Sequence, residues 1–232
     1  KPVLLQSNLK IQTKELESSE QITEIITSLD MNYMTKESAR KAPVELEYQT
    51  TRGLLALNDG DIMPNYPKGV DGEPTSHAGG GKPDIECFYE DYDMVCEVTL
   101  LKTQDQWKAE SISVPDHFEK FIKENKKQKN FCLFIAPQLH DRTIRTFYTN
   151  NQWEEKKFGR TVPLTISQFK QILETLKKLR ELQKPRGITH KEMGIFYQRV
   201  TDSLSNFSGG KFLEWRNNIQ VILDKWMQEI IS

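Results

Sequence analysis

Apolar and polar positions follow two distinct periods along this chain. "SSEQITEIITSLD" (18–30) sets apolar residues at helical spacing behind capping serines and predicts a helix. "APVELEYQTTRGLLALN" (42–58) predicts a stronger one. Pro43 suits its first turn, Glu45 and Glu47 match the positive end of the dipole, and Leu54, Leu55 and Leu57 supply apolar surface. The pattern then breaks, and residues 59–83, dense in Gly, Pro, Asp and Asn, read as loop. "DIECFYE" (84–90) and "DMVCEVTLL" (93–101) predict antiparallel strands joined at an acidic corner where Asp91 and Asp93 read as turn residues. A helix follows over 114–125, with Ser113 as cap and Pro115 in the first turn. The nearly continuous apolar run "NFCLFIAPQL" (130–139) predicts a buried strand. A helix over 141–151, a short strand over 161–166 and an amphipathic helix over 167–182 come next. Two last helices, near 189–206 and 211–231, are hinged at Ser208-Gly209-Gly210.

This order predicts an α/β fold, a small mixed sheet flanked by helices, without internal repeats. Residues 1–182 form the expected core unit, and residues 183–232 a C-terminal helical extension packed on the same domain, with Trp215 and Trp226 as core or interface anchors. Composition agrees with a packed protein: 37% hydrophobic and 28% charged residues. No apolar run approaches the roughly 18 residues that span a bilayer, so no membrane partner is expected. No leader precedes Lys1, and the abrupt start suggests a piece of something longer. Cys87, Cys96 and Cys132 lie in apolar runs without CxxC spacing and read as buried free thiols, and the four histidines show no metal-ligand spacing. Charge is unevenly distributed. Residues 1–110 hold 11 Lys and Arg against 20 Asp and Glu, and residues 111–232 hold 21 against 13, so a net −9 adjoins a net +8. Such an asymmetry suits a metal-dependent enzyme acting on a polyanion, or simply two solvated faces. Without overall positive charge the chain should hold nucleic acid weakly, and something else should deliver it there.

The chemistry centres on "GGGKPDIECFYEDYDMVCEVTL" (79–100). Asp84 opens the first strand and Glu97 lies late in the second, so a hairpin lets them converge at one end of the sheet. Two such carboxylates repel unless a cation lies between them, and hard oxygen ligands suit Mg2+, with Mn2+ as substitute. An ion there would polarise a phosphoryl oxygen and activate water, as phosphodiester hydrolysis requires. The glycines would let backbone approach a phosphate chain, and Lys82 would contact that chain. Glu86 shares the strand parity of Asp84 and is a lesser candidate ligand. The spacing of 84 and 97 is weak alone, since the chain carries 33 acidic residues.

"GGGKPD…EVT" resembles the PD-(D/E)xK nuclease motif, with a glycine-rich approach like that of the FokI cleavage domain. Together with "PVELEYQTTRGLLALN" and "QWKAESISVPDHFEKFIKEN", it is similar to type IIS restriction enzymes of the AlwI, PleI and MlyI kind over roughly residues 40–180. The nearest resemblance is to the C-terminal cleavage domain of the large, strand-nicking subunit of a heterodimeric type IIS enzyme. It implies a PD-(D/E)xK restriction-endonuclease-like core and a Mg2+-dependent DNA endonuclease acting on double-stranded DNA in a bacterial cytoplasm. It also implies an N-terminal DNA-recognition domain outside this sequence and a separate small catalytic subunit for the other strand. On this resemblance Asp84, Glu97 and the Val98 carbonyl hold the metal, and a helix glutamate approaches it: Glu47 first, Glu45 in reserve.

The third motif position departs from the general pattern, because Thr99 stands where a Lys would orient the attacking water. Lys102 lies an odd number of residues from Glu97 and would point to the opposite face. The resemblance implies that Glu110 and His117 do this work instead, Glu110 by accepting the proton of water and His117 by holding that Glu or a phosphate. Plainer readings exist for each: Glu110 as a solvated acid, His117 as a helix-end residue, His77 as loop, and Lys123, Lys126, Lys127 and Lys129 as a solvated face. At the level of function, the alternatives are a structure-selective repair or resolvase nuclease, and a decayed interaction module docking through its C-terminal helices.

Overall fold

A computed structural model describes residues 18–30, 42–57, 60–125, 127–152, 160–183 and 185–232. Two helices come first. α1 (Ser19–Ser28) starts in a capping box in which the Ser18 hydroxyl accepts from the Gln21 N–H and the Gln21 side chain reaches back to Ser18. α2 (Ala42–Leu57) turns Leu46, Glu47, Thr50, Leu54 and Leu57 inward. The sheet then forms from β1 (Asp61–Pro64), β2 (Ile85–Phe88), β3 (Asp93–Val98), β4 (Asn130–Ala136) and β5 (Thr161–Thr165), in that spatial order. β1–β2 and β2–β3 are antiparallel, whereas β3–β4 and β4–β5 are parallel, each reached through a helical crossover: α3 (Gln104–Glu124) and α4 (Asp141–Gln152). All seven residues of β4 are buried, as a parallel strand covered on both faces requires.

α5 (Ile166–Arg180) and α6 (His190–Asp202) open in capping boxes, Thr165 with Gln168 and Thr189 with Glu192. A 3-10 turn (Ser203–Phe207) and the left-handed Gly209 and Gly210 (φ 75° and 85°) lead into α7 (Phe212–Ile231). The expected architecture is therefore present: a five-stranded mixed sheet flanked by helices. Trp215 and Trp226 are buried in the same apolar cluster as β3, β4 and β5. Their indole N–H groups donate to the carbonyls of Val200 at 3.2 Å and Glu192 at 2.9 Å, which ties α7 onto α6. Among the described residues no helix is long and apolar enough to cross a membrane. The three cysteines are free and buried.

Several expectations need correction. Residues 59–83 are not all loop, because β1 pairs Ile62 with Cys87 and Pro64 with Ile85. Four residues ending in proline give too short a signal, and proline is tolerated because this is an edge strand. The helix expected to begin at 114 begins at Gln104, so Pro115 lies inside it rather than in its first turn. Its added turns turn polar side chains inward: Gln106 is fully buried, and a search for apolar periodicity passes over such a segment. β3 ends at Val98, so the parity argument does not reach Lys102, which sits exposed on the connection to α3. Asp93 is not the turn residue expected but a buried strand residue, and it pairs at 2.9 Å with Lys127, which is therefore not simply part of a solvated face. Lys126 lies outside the described residues, as do the first 17 residues of the expected core unit.

Candidate active site

Strand register brings the motif acids together. Ile85 pairs with Cys96, so the next position outward sets Asp84 directly across from Glu97 on one face of the hairpin. Opposed residues of antiparallel strands have Cβ atoms about 5 Å apart. The backbone around Asp84 is fastened on both sides. The Asn65 N–H donates to the Asp84 carbonyl at 2.9 Å, and its side-chain amide donates to the Pro83 carbonyl at 2.9 Å. On the other side the Val98 N–H donates to Asp84 Oδ2 at 2.8 Å, binding the carboxylate to the strand end that carries the Val98 carbonyl. Upstream, Gly79 to Lys82 are exposed, and Gly81 takes the left-handed conformation (φ 86°) that sends the chain into Asp84.

Two helices complete the cluster. From α2, Glu47 is 5% exposed and its Oε2 accepts from the Ala78 N–H at 2.9 Å. Glu45 instead accepts from Gln49 at 2.7 Å on the partly exposed side of the helix, so the structure brings Glu47 to the other acids and leaves Glu45 away. α3 lies over the sheet face that carries Asp84 and Glu97: Phe121 meets Phe88 with ring centroids 5.8 Å apart, and His117 Nδ1 lies 2.9 Å from Glu97 Oε1. Glu110, two helical turns before His117, shares that face. It accepts a hydrogen bond from the Ser113 hydroxyl at 3.3 Å, and the Thr99 hydroxyl beside it favours its charged form. The residue in the position of the missing lysine is thus not idle: Thr99, just past the end of β3, stands beside Glu110. His117 contacts Glu97 and not Glu110.

The electrostatics are those of crowded acids. Burial pushes the Asp84 carboxyl up to about 8, helped by Glu47 and Glu110 and opposed by the Val98 N–H. Burial, then Asp84 and Glu110, raise Glu97 well above the ordinary carboxylate range. Glu47 is raised by burial against the Ala78 N–H and His77, and Glu110 by burial against Thr99 and Ser113. His117 is held below its usual value by burial and by Lys120, so its ring is neutral near pH 7. Of the other candidates, Glu86 is half-buried beside Asn65 and Lys82. Lys82 is exposed, and its charge acts on Glu86. Sequence reasoning passed over Thr99, except as an absence, and also Lys120, Asn65 and the approach of His77 to Glu47. Thr99 has a legible signal, since two residues from Glu97 it shares that residue's face.

Metal chemistry can be tested on the donor set. Among the described residues no group of three His, Cys, Asp or Glu side chains forms a ready metal centre. Mg2+ does not need one, because it keeps several waters and is held through one or two carboxylates together with substrate phosphates. Asp84 and Glu97, mutually destabilised in their charged forms and joined to the Val98 backbone, fit that need.

A sequence model of the AlwI restriction endonuclease family matches residues 5–172. This chain belongs to the AlwI restriction endonuclease family. The family is one of restriction endonucleases, and so of nucleases. Among solved structures, the small subunit of the heterodimeric restriction endonuclease R.BspD6I superposes with a TM-score of 0.69 at 20% identity, covering 87% of this chain and 98% of that one. At that identity the likeness is one of fold. No curated protein matches.

Proposed function

We propose that this member of the AlwI family is a Mg2+-dependent endonuclease of the PD-(D/E)xK type that cuts one strand of double-stranded DNA, as the cleavage unit of a type IIS enzyme. The observation that carries the proposal is the opposition of Asp84 and Glu97 at the strand ends, with Glu47 and Glu110 against them and burial opposing their charges. Mg2+ held by Asp84, Glu97 and the Val98 carbonyl would supply Lewis-acid stabilisation of phosphoryl charge. Glu110, held by Ser113, beside Thr99 and raised in pKa, accepts a proton from the attacking water. His117, neutral, donates its Nδ1 hydrogen to Glu97 and fixes that carboxylate's direction. Glu47, held by the Ala78 N–H, orders the loop that leads through the glycines to Asp84, and Lys82 meets the DNA backbone.

One acid cluster per chain cuts one strand, so a double-strand break needs a second centre. The sequence resemblance pointed to a large-subunit domain. Coverage of 98% of a small subunit supports reading the chain as a cleavage unit that works beside another catalytic chain and a DNA-recognition part. A duplex end-labelled on either strand tests this. Mg2+-dependent cutting of one labelled strand by the chain joined to a DNA-binding domain, lost in Glu110→Gln, is expected. Absence of any cutting in that fusion, or metal-independent cutting unchanged by the substitution, overturns it.

A further inference from the structure

A cleft of about 430 Å³ opens between α3 and α4, lined by Trp107, Arg142, Arg145, Thr146, Thr149 and Asn150. The residues of α4 recur at 142, 145, 146 and 149, the spacing of one helix face, while Thr143, Ile144, Phe147 and Tyr148 turn inward to the core. The Arg142 guanidinium lies 5.0 Å from the Trp107 ring centroid. Among the described residues neither Arg142 nor Arg145 is paired with a carboxylate. Asp141, next in sequence, is engaged by Arg216 at 2.7 Å, and Asp105 lies by Lys108.

The cleft is held in shape from behind. Gln106, fully buried, donates through Nε2 to the carbonyls of Leu101 and Gln138, both at 2.7 Å, and accepts the His140 N–H at 2.8 Å. One side chain therefore fixes the start of α3 against the loop that leads into α4. Trp107 precedes Glu110 by three residues, about 4.5 Å along the helix, so the cleft adjoins the acid cluster on the same α3.

We propose that the α3–α4 cleft binds the phosphodiester backbone of the nucleic-acid substrate beside the cleavage site, with Arg142 and Arg145 each neutralising one phosphate. Guanidiniums without a carboxylate partner among the described residues suit phosphate oxygens, and the hydroxyls and amide along the face complete a polar wall. A cluster of four acids repels a polyanion, and an adjoining cationic cleft offsets that repulsion. The proposal rests on the nuclease reading only for the identity of the polyanion.

The test is equilibrium binding of a fluorescent duplex to the 232-residue chain across a salt series with chelator present, comparing the parent, Arg142→Gln, Arg145→Gln and the double variant. Lys225→Gln, in the separate cleft between α6 and α7, serves as control. Each arginine substitution should lower the slope of log Kd against log salt by about 0.9, and the double by about twice that. Over a fourfold rise in salt, each missing contact then spares the complex about 3.5-fold in affinity. Lys225→Gln should leave the slope unchanged. Parental slopes in both arginine variants, equal loss in the control, or no binding by the parent at low salt would each overturn the cleft. Displacement of the duplex by inorganic phosphate beyond its ionic-strength effect would reassign it to a small anion. Cleavage is scored separately. A parent that cuts DNA while the slopes stay parental removes the cleft and keeps the nuclease, whereas lowered slopes with no cutting even by the chain joined to a DNA-binding domain do the reverse.

Discussion

The crowded acids make a prediction about stability before any about catalysis. Asp84 titrates near 8 in the fold and near 3.8 as an ordinary carboxylate. A carboxyl whose folded pKa is raised contributes stability that is fully present below its unfolded pKa and is lost as pH rises through the folded value. The metal-free protein should therefore weaken between about pH 4 and pH 8. At 1.36 kcal/mol per pH unit the ceiling for Asp84 is about 6 kcal/mol. Water penetration and local relaxation reduce it, and a third of the ceiling is about 2 kcal/mol, or roughly 4–8 °C in Tm for a chain of this size. Asp84→Asn keeps an acceptor for the Val98 N–H while removing the charge. In chelator, its Tm should exceed that of the parent by about 4–8 °C at pH 8.5 and match it at pH 4, as read by calorimetry. An Asn variant no more stable than the parent at pH 8.5, or equally favoured at both pH values, would refute the argument that burial, with the neighbouring acids, opposes the Asp84 charge.

Further outcomes follow from the same geometry. Mg2+ at 100 times its Kd should stabilise the parent by about 2.7 kcal/mol in thermal melts and leave Glu97→Gln unmoved; an equal shift in both would place the ion elsewhere. Thr99→Val should release Glu110 and lower kcat about 10-fold or more, while Thr99→Ser retains it; unchanged kcat in the Val variant would show that Glu110 needs no tether. A methyl group on Gly53 would meet Phe169 Cζ at 2.9 Å, where α2 passes α5. Gly53→Ala should therefore cost about 1–3 kcal/mol in denaturant unfolding, and a neutral result would mean that Phe169 moves aside freely.

Much of the fold was legible because its signals are local. Capping serines mark the start of α1, and the apolar run 130–139 announces the buried strand that forms over Asn130–Ala136. The pairing of Asp84 with Glu97 was legible because hairpin parity places opposed residues on one face. What escaped depends on contacts between distant segments. Gln106 looks like a surface residue until Leu101, Gln138 and His140 supply its partners, so ten residues of α3 went unread. The resemblance already favours Glu47 over Glu45, but the Ala78 N–H that holds Glu47, 31 residues away, was not legible. Thr99 drew notice only as a missing lysine, because its hydroxyl acquires meaning once α3 brings Glu110 beside it.

The central claim is that Asp84 and Glu97 form a cation-dependent phosphodiesterase centre, and supercoiled plasmid tests it most directly. Incubated with high concentrations of the parent chain, plasmid should convert to open circles in Mg2+ before any linear product appears. It should stay supercoiled in chelator and with Glu97→Gln. Open circles formed equally by Glu97→Gln, or in chelator, would contradict the claim.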